Sequence, residues 1–124
     1  MKILIVEDDI VYGEGIKNLL EELGHEVSVL QDPTEENVKQ SLTFGAEILL
    51  LDHDLGEGRT GDKIALCYNL PKEKIISIST GTFDVSYCGN SWSKKNAFDH
   101  DSLPPAIFQR IKTSLMKTID DVRV

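Results

Sequence analysis

Lys2-Ile3-Leu4-Ile5-Val6-Glu7-Asp8-Asp9 begins as an unbroken β-branched and apolar run and stops abruptly in three carboxylates. A strand with one wet face alternates apolar and polar residues, whereas an unbroken run is buried on both faces, as in a parallel sheet. Beyond the acidic turn, Tyr12, Ile16, Leu19, Leu20 and Leu23 recur at helical spacing. Asp8 or Asp9 can cap that helix and Gly24 suits its C-terminal stop. Strand, acidic turn and helix together form the unit from which an α/β sheet is built.

The same unit recurs along the chain. Residues 25–30 set Val27 and Val29 between polar neighbours as a second strand, and Asp32-Pro33-Thr34-Glu35 predicts a helix running through Leu42. In that reading Asp32 is the N-cap, Pro33 sits at N1 and Glu35 at N3. Ala46-Glu47-Ile48-Leu49-Leu50-Leu51 is another apolar strand, and it delivers Asp52 at its C-terminal end, ahead of a glycine-rich loop over 55–61. Residues 64–68 predict a short third helix, and Ile75-Ile76-Ser77-Ile78-Ser79 a fourth strand, broken after Thr80 by Gly81. No helical period runs through 82–90; Ser91-Trp92-Ser93-Lys94 fits a fifth strand. Ser102 can cap a last helix in which Ile107, Ile111, Leu115 and Ile119 fall four apart, with Pro104 and Pro105 in its first turn. Strands alternating with helices throughout predict a parallel sheet covered on both faces, with right-handed crossovers.

Composition narrows the function. The 124 residues carry 13 basic and 21 acidic side chains, a net charge of −8, which opposes direct binding to nucleic acid or an anionic membrane. No apolar stretch approaches membrane-spanning length, so a cytoplasmic protein without membrane insertion is expected. Length and composition fit one domain over 1–124 with one core. Cys67 and Cys88 lack CxxC spacing, and His25, His53 and His100 lack the i, i+4 spacing of a helical metal site.

In an open parallel sheet the site lies at the carboxyl ends of the strands, and Glu7, Asp8, Asp52, Ser79 and Lys95 all fall at that edge. Carboxylates ending adjacent buried strands repel one another, and a hard cation such as Mg²⁺, held by oxygens, relieves the repulsion. Asp52 can then attack a phosphorus atom whose oxygens are neutralised by the cation, a lysine and a hydroxyl.

These motifs resemble the CheY-like receiver family of two-component signalling, and the resemblance spans essentially the whole chain. It implies a flavodoxin-like, doubly wound five-stranded parallel sheet of order 2-1-3-4-5, with the fourth helix short or irregular because the segment from Ser79 to Lys95 is brief. By the resemblance, Glu7 and Asp8 are the acidic pair, with Asp8 a direct Mg²⁺ ligand and Glu7 acting through water. Leu49-Leu50-Leu51-Asp52-His53-Asp54-Leu55 matches the phosphoacceptor segment. Asp52 is then the nucleophile and the Asp54 carbonyl a further ligand. Ser79, with Thr80 beside it, supplies the hydroxyl; Thr80 is bulkier than the family's usual residue and narrows the approach to Asp52. Lys94 and Lys95 compete for the lysine, since the usual following proline is missing. Lys95 is preferred because it sets Trp92 at the aromatic switch position three residues earlier, where Lys94 would set Ser91.

The resemblance further implies a chain that catalyses its own phosphorylation and dephosphorylation. Its phosphodonor is a sensor histidine kinase or a histidine phosphotransfer protein, and its output is contact with a downstream protein target. Each residue also has a plainer reading: acidic cap, loop carboxylate, turn hydroxyl, solvated lysine, core tryptophan. Two other functions stay open. One is a receiver-like interaction module that takes no phosphate. The other is a haloacid-dehalogenase-like phosphatase, suggested by the Asp52-His53-Asp54 fragment.

Overall fold

Five short strands pair in parallel in the order β2-β1-β3-β4-β5. They are β1 (Lys2–Val6), β2 (Glu26–Leu30), β3 (Ile48–Leu51), β4 (Ile75–Ser77) and β5 (Asn90–Ser91). The computed structural model describes residues 1–79, 86–94 and 105–122. Among the described residues the α-helices are α1 (Ile10–Glu22), α2 (Glu35–Ser41), α3 (Gly61–Ala65) and α4 (Pro105–Val122). Among the described residues, single 3₁₀ turns lie at Leu42–Phe44 and Lys72–Lys74.

The unbroken apolar runs do what their composition requires. Ile3, Ile5, Ile48, Leu50, Ile76 and Ile78 face a layer made by Ile16, Leu19 and Leu20 of α1 with Leu115, Ile119 and Val122 of α4. On the opposite face, Leu4, Val6, Leu49, Leu51 and Ile75 pack against Val38, Leu55, Ile64, Ala65 and Tyr68. The central strands are thus buried from both sides, the condition under which a strand need not alternate. Trp92 belongs to the first layer, and its ring N–H donates to the Ser114 hydroxyl on α4 at 2.7 Å.

Boundaries differ from expectation where local chemistry outweighs pattern. Thr34, not Asp32, caps α2, its hydroxyl accepting from the Asn37 N–H at 3.1 Å. The Asp32 carboxylate is engaged instead by Arg59 at 2.7 Å, so the helix starts two residues later, with Pro33 outside it. α3 starts at Gly61, ahead of the expected Ile64, and decays into turns by Tyr68. β5 is Asn90–Ser91, where Ser91–Lys94 was expected, and turn residues at 86–87 precede it; the rest of the expected irregular fourth segment lies outside the described residues. The expected Ser102 cap and Pro104 lie outside the described residues, as do the side chains of Ile107 and Ile111. Gly24 ends α1 with φ of 92°, the left-handed conformation that favours glycine. Among the described residues no helix is long and apolar enough to cross a membrane.

Leu50 is fully buried between β1 and β4, whereas Leu66 is 87% exposed. Leu50→Ala is expected to cost about 2–5 kcal/mol in urea denaturation, the range for a large core deletion. Leu66→Ala should stay within about 0.5 kcal/mol of wild type.

Candidate functional site

Strand register assembles the site. Val6 lies opposite Leu51 in the β1–β3 ladder, and the Asp52 N–H donates to the Val6 carbonyl at 3.0 Å. The next residues on each strand, Glu7 and Asp52, therefore emerge side by side at the carboxyl edge. The ladder continues to β4, where Leu51 aligns with Ser77 and the Ile78 N–H donates to the Leu51 carbonyl. Ser79 follows at the same edge. Asp8, one residue beyond Glu7, is exposed, and Asp9 turns back to cap α1 by accepting from the Val11 N–H at 3.0 Å.

Glu7 is fully buried and Asp52 nearly so, and one ammonium serves both. Lys94 Nζ donates to Glu7 Oε2 at 2.9 Å and to Asp52 Oδ2 at 3.1 Å. The same ammonium lies 4.8 Å from the centre of the Tyr12 ring, a favourable cation–π distance. Burial is the main force on Glu7 and pushes its carboxyl up to about 7; the nearby Asp52 charge adds to the rise and Lys94 opposes it. For Lys94 burial favours the neutral amine, yet the hydrogen bond and charge of Glu7, joined by Asp52, outweigh it and raise the pKa. Two carboxylates thus share one cation, and Asp8 supplies a third acidic group close by.

Glu7, Asp8 and Asp52 can each offer a carboxylate oxygen such that all three lie within 4.8 Å of one another. Three clustered carboxylates, two of them bonded to Lys94, form an oxygen-rich, electronegative corner, and that donor set fits a hard divalent cation of the Mg²⁺ or Ca²⁺ type. The loop after β3 closes over this corner. Leu55 N–H donates to the Arg59 carbonyl and Arg59 N–H to the Gly56 carbonyl, while the Arg59 guanidinium reaches Asp32. A side chain built on Gly56 would come within 3.6 Å of Asp8 Oδ2.

The peptide after Asp52 is held on several sides. His53 N–H donates to Asp52 Oδ1 at 3.0 Å and to Ser79 Oγ at 2.8 Å, and His53 C=O accepts from the Gly61 N–H at 2.7 Å. The His53 ring is hydrogen-bonded through Nδ1 to the Tyr87 hydroxyl at 2.9 Å. A Cβ on Gly61 would sit 2.6 Å from the Asp52 carbonyl and 2.7 Å from the Tyr87 hydroxyl, so only glycine permits this approach.

Of the residues picked from the sequence, Glu7, Asp8, Asp52, Ser79 and Lys94 converge at this edge. The preferred lysine, Lys95, and the neighbouring hydroxyl residue Thr80 lie outside the described residues. The lysine seen against Asp52 is Lys94. Trp92, two residues before it, is 5% exposed and tied to α4, and Ser91, three residues before it, is exposed. The Asp54 carboxylate turns away to accept from the Gly56 N–H at 3.2 Å. Tyr12, Arg59 and Tyr87 were not foreseen as part of the site. Only their spacing from the acidic turn, from Asp52 and from β5 hinted at them, and that is too weak a signal without coordinates.

No family model and no curated protein matches the chain. Solved structures do match over nearly all of it. The N-terminal domain of a response regulator/sensory box/GGDEF three-domain protein from Carboxydothermus hydrogenoformans is 23% identical, with a TM-score of 0.70, covering 99% of this chain and 94% of that one. The BeF₃-activated N-terminal receiver domain of Klebsiella pneumoniae RstA is 20% identical, with a TM-score of 0.66 and full coverage of both chains. Response regulator TrrA from Thermotoga maritima, solved in complex with Mg²⁺ and BeF, is 20% identical at a TM-score of 0.64, covering 94% and 97%. The fold of this chain is therefore that of the CheY-like receiver domains.

Glu7 holds its proton up to about 7 in the folded protein but releases it near its ordinary 4.5 when unfolded. Between those values the folded state binds more protons, so without divalent cation its stability should fall as pH rises from about 4.5 to about 7. Urea denaturation across that window should show wild type losing ground to Glu7→Gln. Carbon-13 NMR should place the Glu7 midpoint higher still in Lys94→Met, because the ammonium is one of the forces holding it down.

Proposed function

We propose that this chain is a response-regulator receiver that accepts a phosphoryl group on Asp52 from a phosphohistidine donor. The donor is a sensor histidine kinase or a histidine phosphotransfer protein, and the result is a changed surface for a downstream protein. The observation that carries this reading is the meeting of Glu7, Asp8, Asp52 and Lys94 at one sheet edge, with Lys94 Nζ 3.1 Å from the Asp52 carboxylate.

Asp52 attacks phosphorus through a carboxylate oxygen as the bond to the donor nitrogen breaks, and the imidazole leaves carrying the electron pair. Negative charge on the transferring oxygens calls for fixed cations and donors. Lys94 already lies within bonding reach of the Asp52 oxygens and needs little movement to meet them. Ser79 Oγ, set by the bond from His53 N–H, is the hydroxyl in position to follow the new phosphoryl group. Glu7, Asp8 and Asp52, with the Asp54 carbonyl, are the groups that would hold Mg²⁺. When bound it would neutralise phosphoryl oxygens and offset the repulsion among the three carboxylates. The product carries roughly −1.5 to −2 extra charge at neutral pH, a local change able to bias contacts around β5 and α4.

The phosphatase alternative requires Asp54 as acid and base, but its carboxylate is occupied in capping the loop at Gly56. Mass spectrometry after treatment with acetyl phosphate separates the readings. Wild type with Mg²⁺ should gain one phosphoryl group; Asp52→Asn, or wild type with chelator, should gain none. Lys94→Met should slow uptake by about 100-fold, the scale of losing one charge-stabilising donor. No gain in wild type would favour an interaction module that takes no phosphate. Turnover of a phosphatase substrate abolished by Asp54→Asn would favour the hydrolase.

A further inference from the structure

His53 is bonded through both backbone groups and through its ring, to its neighbour Asp52 and to Ser79, Gly61 and Tyr87 from three other segments. Its N–H is shared between the Asp52 carboxylate and the Ser79 hydroxyl, at 3.0 and 2.8 Å. Its C=O takes the Gly61 N–H that begins α3, and its Nδ1 meets the Tyr87 hydroxyl in the turn before β5. The His53 and Tyr87 rings lie 6.1 Å apart at a 32° tilt, so the contact is made by the hydroxyl and not by stacking. Gly61 makes room for that hydroxyl, since a Cβ there would strike it.

One N–H donated to two oxygens is a demanding arrangement. A small rotation of the 52–53 peptide strengthens one bond at the expense of the other, because hydrogen bonds weaken steeply off axis. Accepting from His53 also leaves the Ser79 proton to be donated in another direction, so the same peptide sets the aim of the Ser79 hydroxyl. Whatever fixes the His53 ring limits that rotation. Ser79, Gly61 and Tyr87 all bond to His53 from outside its own strand, and the Tyr87 hydroxyl does so through the side chain, which also feels the Asp62 carboxylate.

We infer that Tyr87 is a positioning residue of the phosphoacceptor site: through its bond to His53 it holds the peptide whose N–H orients both the Asp52 carboxylate and the Ser79 hydroxyl. Tyr87 thereby also links the turn before β5 to the site. The kinetic consequence rests on the receiver reading above; the orienting action does not.

The test uses the full chain with Tyr87→Phe, which removes one oxygen and keeps the ring. Nitrogen-15 NMR without phosphodonor should show the His53 and Ser79 amide resonances displaced, with those of Ile3 and Ile5 unchanged. With acetyl phosphate and Mg²⁺, the maximal rate of phosphoryl uptake should fall about three- to tenfold, the scale of one hydrogen bond, at unchanged half-saturation. In a His53→Ala background the same substitution should have no further effect on the rate. Unmoved His53 and Ser79 resonances, an additive double variant, or a lower urea midpoint with an unchanged rate would each overturn the inference. If wild type takes up no phosphoryl group, the receiver reading fails, and the resonances alone then decide whether Tyr87 holds this peptide.

Discussion

Two carboxylates at the ends of neighbouring buried strands cannot both shed water and stay charged unless something positive stands between them. Lys94 does so from the end of the β5 segment, bonded at once to Glu7 and Asp52. Breaking such a contact from one side leaves an uncompensated buried charge, which is far more costly than the pair itself is favourable. The contact thus ties the last strand segment to the first and third, and the electrostatics of the whole edge follow from it. Burial drives Glu7 toward its neutral form while the ammonium resists, so the corner rests close to a balance that a further cation or a new anionic group can tip.

The sheet was largely legible in the sequence because its signal is thermodynamically loud. Ile3 to Val6 and Ile48 to Leu51 are fully or almost fully buried, and no other environment accommodates runs of that kind in a chain with such an acidic surface. The acidic turn was legible for a related reason: carboxylates placed directly after such strands must emerge together once the register is parallel. Finer assignments depended on contacts between residues distant in sequence. The choice between Lys94 and Lys95 leaned on setting Trp92 at the aromatic switch position; Trp92 takes its plainer reading, in the core with its ring N–H on Ser114, and Lys95 lies outside the described residues. Likewise Asp32 looked like a cap because the local pattern could not register Arg59, 27 residues later.

The loop between β3 and α3 shows how little freedom remains around Asp52. Its carbonyls are taken by Arg59 and Gly61, its Asp54 carboxylate caps its own turn, and Arg59 fastens it to the β2–α2 connection. Gly61 has an ordinary backbone angle, and its small size serves crowding alone, which is why no turn signal betrayed it.

Trp92 is the chain's single tryptophan, and its indole is shielded from solvent while sitting two residues from the ammonium that binds Glu7 and Asp52. The molecule accordingly carries its own optical probe. Emission from a buried indole is sensitive to its surroundings, here the fit of the segment after β5 against α4. Rearrangement of charge at the sheet edge thus has a spectroscopic witness built into the chain, with no label attached.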